Sequence, residues 1–114
     1  MDEKQSFSLN HARCIVYASG MNSDSVANRI EQYAYEHDLE IVDIIIRKEP
    51  GADELTYYLE NESIEAILLR TLADISTDKK EIKKILIVAA KHGISVNCED
   101  VNFEPLTVNI EDDI

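Results

Sequence analysis

Apolar residues along this chain alternate between short continuous runs and helical spacing. Continuous or alternating apolar runs predict five strands, over 12–18, 39–46, 66–70, 94–98 and 106–110. Between the first four runs, apolar positions recur every three or four residues and predict three helices, over about 24–36, 53–61 and 78–92. The last strand follows Pro105, which places it at the edge of a sheet because proline cannot donate to a neighbouring strand.

Strands that alternate with helices predict an α/β fold. We expect a three-layer α/β/α sandwich around a mostly parallel sheet of four or five strands, with right-handed crossovers. One domain would span 12–110, preceded by a flexible arm over 1–11 and followed by an acidic tail over 111–114. The three isoleucines at 44–46 predict a strand buried on both faces. Asp78 or Thr77 should cap the third helix, and Gly93 should end it.

Composition narrows the classes of function. A net charge of −12 on 114 residues argues against direct DNA binding, because phosphate contacts need a cationic surface. No cysteine or histidine spacing suggests a metal site, no fingerprint suggests a cofactor, and no apolar run is long enough for a membrane span. We expect a cytoplasmic protein whose Cys14 and Cys98 are buried, reduced thiols.

Lysines cluster on one predicted helix of this otherwise acidic chain. They fall largely opposite its apolar stripe, at positions 79, 80, 83, 84 and 91. Such a run is usually a solvated helix face. The alternative is a docking surface for an acidic partner.

The turn after the first strand holds the strongest candidates for chemistry. In an open α/β sheet this turn lies at the carboxyl edge, where ligands usually bind. Its polar side chains are Ser19, Asn22, Ser23 and Ser25. They could cap the following helix, or they could hold a small anion together with the free N–H groups at the helix N-terminus. Both interpretations remain open from the sequence.

Several ordered segments resemble the N-terminal catalytic domain of the serine recombinases, the resolvase and invertase family. They are Val16-Tyr17-Ala18, Tyr33-Ala34 followed by Leu39-Glu-Ile-Val, Gly51 with Leu55 and Leu59, Ile64 to Leu72, and Lys91-His-Gly-Ile-Ser-Val. The resemblance covers about 13–103. It implies a resolvase-like fold, and in the family a serine at the start of the domain attacks a DNA phosphate.

The catalytic positions depart from the family pattern. Tyr17 and Ala18 match, but Ser19 stands where an arginine is expected and Met21 stands where the attacking serine is expected. Val26 occupies the place of a common glutamine. Ala73 replaces an aspartate, and three further positions replace arginines: Ala52, Asp74 and Thr77.

The missing arginines change the function that the resemblance implies. Arginine stabilises the charge that builds on phosphoryl oxygens, so its loss predicts an inactive domain that works through protein contacts. The partner would be a second copy or an active recombinase. Family members also continue into a dimer-forming helix and a DNA-binding region, whereas this sequence ends at Ile114. The alternatives are a working recombinase with a relocated nucleophile (Ser19, Ser23 or Ser25), a small anion-binding module, and an acidic DNA mimic.

Overall fold

A computed structural model describes residues 12–106, and the predictions for the arm, the tail and 107–110 lie outside this range. The regular elements are β1 (Arg13–Ser19), α1 (Ser23–Glu36), β2 (Glu40–Arg47), α2 (Asp53–Asn61), β3 (Ala66–Leu69), α3 (Lys79–Lys91), β4 (Ser95–Cys98) and β5 (Pro105–Leu106). Short 3₁₀ turns follow β3 at Leu72–Asp74 and β4 at Glu99–Val101.

The strands form one sheet in the order β2-β1-β3-β4-β5. The first four strands are parallel, and β5 pairs antiparallel with β4, at an edge of the sheet as Pro105 predicted. The α/β architecture with a mostly parallel five-stranded sheet is therefore confirmed.

Alternate residues of each central strand face opposite sides of the sheet, which produces two separate cores. Ile15, Tyr17 and Ile67 pack with α2 and α3 on one side. Cys14 and Val16 pack with α1 on the other side. Helices thus cover both faces, as expected for a three-layer sandwich.

The ends of α3 follow the sequence prediction. The Asp78 carboxylate caps the helix by accepting a hydrogen bond from the Lys80 amide at 2.9 Å. Gly93 follows with φ +70°, a left-handed conformation that glycine adopts without strain. The five lysines of the helix are all exposed. Cys14 and Cys98 are buried free thiols, as predicted.

The prediction that β2 is buried on both faces is wrong. Of the three isoleucines only Ile45 is buried, and Ile46 is 46% exposed. The physical reason is the strand order, because β2 lies at one edge of the described sheet. Apolar content alone does not distinguish a central strand from an edge strand whose side chains are half covered.

Candidate functional site

Ser19 ends β1 at the carboxyl edge of the sheet, where the sequence placed the site. Its side chain is buried, and its hydroxyl donates a 2.6 Å hydrogen bond to the backbone oxygen of Asp74. Asp74 belongs to the 3₁₀ turn after β3. The hydroxyl is therefore satisfied within the fold and shielded from solvent.

Tyr17 fixes the loop after β2 against the same edge. Its hydroxyl donates to the Gly51 oxygen at 2.6 Å and accepts from the Gly51 amide at 3.1 Å. Burial raises the pKa of the Tyr17 phenol, and the Gly51 hydrogen bond and nearby Arg47 partly oppose this rise. A neutral phenol can both donate and accept, which is what the two contacts with Gly51 require.

Arginines do reach this edge, but each is paired with a carboxylate. Arg70 donates from Nε and Nη2 to the buried Asp74 carboxylate at 3.2 and 2.7 Å. Arg29 of α1 makes a similar bidentate contact, donating from Nε and Nη2 to the Glu99 carboxylate at 2.5 and 2.6 Å. Arg47 pairs with Glu54 through one 2.8 Å contact.

The fourth arginine of the sequence, Arg13, lies at the opposite end of β1. It pairs with Glu40 at 3.2 Å. Each of the four arginines therefore has a carboxylate partner, and the positive charge at the carboxyl edge is locally neutralised.

The two bidentate pairs, Arg70–Asp74 and Arg29–Glu99, lie close enough for the charges of one pair to shift the pKa values of the other. The Asp74 hydrogen bond raises the pKa of Arg70, while the neighbouring Arg29 lowers it slightly. The Arg29 hydrogen bond holds the pKa of Glu99 below its ordinary value. Two guanidinium groups and two carboxylates thus form a neutral cluster over the ends of β3 and β4.

The candidate side chains of the opening turn make no hydrogen bond with one another in the described part of the chain. Asn22 is the N-cap of α1, but its backbone is left-handed at φ 64° and its side chain makes no capping hydrogen bond, so capping by Asn22 is wrong. Ser23 is half-buried and Ser25 is exposed on the first turn of the helix, beside the exposed Asp24. Ser19 is held separately by Asp74. Anion binding at this turn stays a prediction.

The sequence missed the arginine–carboxylate pairs, although the acidic partners were visible. Asp74 and Glu99 each follow a parallel strand, and the carboxyl ends of such strands lie at one edge of the sheet. Arg29 lies 70 positions from Glu99, and nothing local in the sequence links them. Asp43, in the middle of β2, accepts a hydrogen bond from the Tyr58 hydroxyl.

Two further findings concern metals and membranes. Within 12–106, no group of three or more histidine, cysteine, aspartate or glutamate side chains could hold a metal ion. No helix in the same part of the chain is long and apolar enough to cross a bilayer.

Comparison with solved structures identifies the fold. The chain is similar to a resolvase family site-specific recombinase from Streptococcus pneumoniae, with a TM-score of 0.71 over 89% of this chain and 82% of that one. The sequence identity is 12%, so the likeness is one of fold. No protein-family model matches the chain, and no curated protein matches it. The fold is resolvase-like.

Proposed function

We propose that this resolvase-like domain does not cut DNA and acts by binding protein, either a second copy of itself or an active recombinase. One observation carries the proposal: the hydroxyl and the arginines at the carboxyl edge already have partners within the fold. Ser19 is bonded to Asp74, and Arg29 and Arg70 are paired with carboxylates.

The argument depends on charge. Attack on a phosphodiester builds negative charge on the phosphoryl oxygens, and enzymes stabilise it with preorganised cationic donors. Here a phosphate that approached Arg70 or Arg29 would meet Asp74 or Glu99 beside the guanidinium, and these carboxylates would repel it. Losing a single preorganised donor typically costs on the order of 10²–10³ in rate.

The competing assignment is a recombinase in which Ser19 is the relocated nucleophile. Two observations weigh against it. The Ser19 side chain is only 2% exposed, and its proton is committed to a backbone carbonyl, which cannot act as a general base. Attack by Ser19 would need the turn at Leu72–Asp74 to move away.

The apolar surface at the carboxyl end of β2 supports a protein partner. Met21 is 86% exposed and Ile46 is 46% exposed. Met21 follows Gly20 in the chain, and Ile46 precedes Arg47. The Gly20 amide donates a hydrogen bond to the Arg47 oxygen, so the two apolar residues lie on neighbouring segments. Adjacent exposed apolar side chains beside an edge strand form a patch that a protein partner can cover.

The same strand carries a feature that disfavours simple strand addition. The Asp43 carboxylate accepts a hydrogen bond from the Ile44 amide at 2.8 Å, so this backbone donor is already satisfied. The proposed contact is therefore one of side chains around Met21 and Ile46.

Light scattering on the purified chain at micromolar concentration tests the proposal, alone and mixed with the catalytic domain of a recombinase from the same genome. We expect a defined dimer or complex that Ile46→Glu abolishes. Tyr57→Glu is the matched control, because Tyr57 is 55% exposed on α2, on the other face of the sheet. A strict monomer that binds no recombinase would contradict the proposal, and so would equal effects of the two substitutions.

A further inference from the structure

A groove of about 380 Å³ opens on the α1 side of the sheet, at the amino ends of β3 and β4. Its floor is formed by two neighbouring pairs of the parallel register, Ala66 with Ser95 and Leu68 with Asn97. The volume is within the range of small-molecule sites, roughly 300–1,000 Å³.

One wall of the groove is aromatic. The Tyr33 ring stacks between His37, with centroids 4.0 Å apart, and Phe103, with centroids 3.9 Å apart and planes within 18° of parallel. The Phe103 amide donates to the Cys98 oxygen at 2.8 Å, which fixes the loop that carries the ring. His37 and Phe103 cover both faces of Tyr33, so the preformed surface for a flat ring is the face of Phe103 that is turned away from Tyr33.

The buried polar group of the floor is Asn97, which is 7% exposed. Its amide nitrogen donates to the Ile67 oxygen at 3.3 Å and to Ser95 Oγ at 2.9 Å. Its oxygen Oδ1 accepts no hydrogen bond from any residue of the described 12–106 segment. Buried polar atoms are normally paired, so this acceptor lacks the donor that such a position requires.

A second acceptor of the groove is the side chain of Glu65. Glu65 lines it with an exposed carboxylate, whose Oε1 accepts a long 3.3 Å bond from the Arg13 amide. His37 Nδ1 lies 2.9 Å from the Tyr33 carbonyl oxygen, which can only accept, so Nδ1 carries a proton that this contact uses. Asn97 Oδ1 and the Glu65 carboxylate thus present two hydrogen-bond acceptors to the groove.

We propose that this groove binds a small flat aromatic cation. Its ring would lie against the face of Phe103 that is turned away from Tyr33, and its N–H groups would donate to Asn97 Oδ1 and the Glu65 carboxylate. The net charge of −12 adds long-range attraction for such a ligand. This inference is independent of the proposed protein partner, because that surface is at the carboxyl end of β2.

An NMR titration of the ¹⁵N-labelled full chain with benzamidine tests the proposal. Benzamide has the same ring and shape without the charge, and benzoate carries the opposite charge. We expect saturable shifts at Tyr33, Ser95, Asn97 and Phe103 with benzamidine at millimolar concentration, clearly weaker binding of benzamide, and none of benzoate.

Variants separate the groove from general charge effects. Glu65→Gln should weaken benzamidine binding by about two- to fivefold, the range for an exposed ion pair. Glu60→Gln makes the same charge change on α2, across the sheet, and should leave binding unchanged. Phe103→Leu should weaken binding by about two- to tenfold through lost stacking. Equal affinity for benzamide, equal effects of the two glutamate variants, shifts confined to other surfaces, or no saturable shifts would each overturn the proposal.

Discussion

The Arg70–Asp74 pair should couple more strongly than an ordinary surface ion pair. The Asp74 side chain is 5% exposed and accepts two hydrogen bonds from Arg70, whose side chain is 41% exposed. Breaking a buried pair from one side costs about 3–5 kcal/mol, whereas an exposed pair contributes about 0.2–1 kcal/mol. With one partner buried and one partly exposed, we expect Arg70→Met to reduce the free energy of unfolding by about 2 kcal/mol.

A double-mutant cycle isolates the interaction itself. Arg70→Met, Asp74→Asn and the double variant would be unfolded in urea and followed by circular dichroism, and we expect a coupling of about 1–2 kcal/mol. Arg70→Met alone should lower the urea midpoint by about 1 M, given slopes of about 1–3 kcal/mol per molar for small domains.

The chain supplies its own control cycle in Arg13 and Glu40. Their side chains are 42% and 55% exposed and share a single 3.2 Å contact. The same cycle with Arg13→Met and Glu40→Gln should give a coupling below about 1 kcal/mol. Equal coupling energies in the two cycles would refute the claim that burial of Asp74 makes its pair with Arg70 stronger than an exposed ion pair.

Three other expectations concern stability and reactivity. Tyr17→Phe leaves the backbone N–H and C=O of Gly51 without their partner, so urea unfolding should show a loss of stability of about 1–3 kcal/mol. A change below about 0.5 kcal/mol would show that the phenol does not anchor the loop after β2. Burial raises the pKa of Cys14 to about 11 and the pKa of Cys98 to about 12, from 9.0. The thiols of the unfolded chain therefore ionise first, so the free energy of unfolding should fall as pH rises above about 9. A thiol reagent should react slowly with the native chain below that pH, and fast labelling would contradict this. Asp78→Ala removes the cap of α3 and should cost about 1 kcal/mol, and a neutral result would show that the cap is dispensable.

Much of the fold followed from local patterns in the sequence. The spacing of apolar residues predicted the positions of strands and helices. Asp78 and Gly93 predicted the two ends of α3, because capping depends on only a few neighbouring residues. A single proline, Pro105, predicted that β5 lies at an edge of the sheet. Each of these signals is short-range, which is why the sequence reveals them.

The errors came from properties that only the assembled sheet defines. The isoleucines at 44–46 do not show that β2 is an edge strand, because strand order depends on contacts between distant segments. Asn22 has a side chain suited to capping, yet the tight turn gives it a left-handed backbone that leaves its side chain without a capping bond.

The charge pairing of the candidate site was also hidden. Comparison by position correctly noted that Asp74 stands where an arginine was expected, but it did not show that Arg70, four residues earlier, turns back onto Asp74. Nor did it show that Arg29 reaches Glu99 across 70 positions. Such pairs become visible only when the ends of neighbouring strands are brought together.

Incubation of the purified chain with supercoiled plasmid DNA tests the central claim most directly. An active resolvase with its own recombination site serves as the positive control, and the products are separated on gels that resolve supercoiled, nicked and protein-linked DNA. We predict that the plasmid stays supercoiled and that no protein becomes covalently attached to it. Nicked, relaxed or protein-linked DNA that disappears with Ser19→Ala would contradict the account.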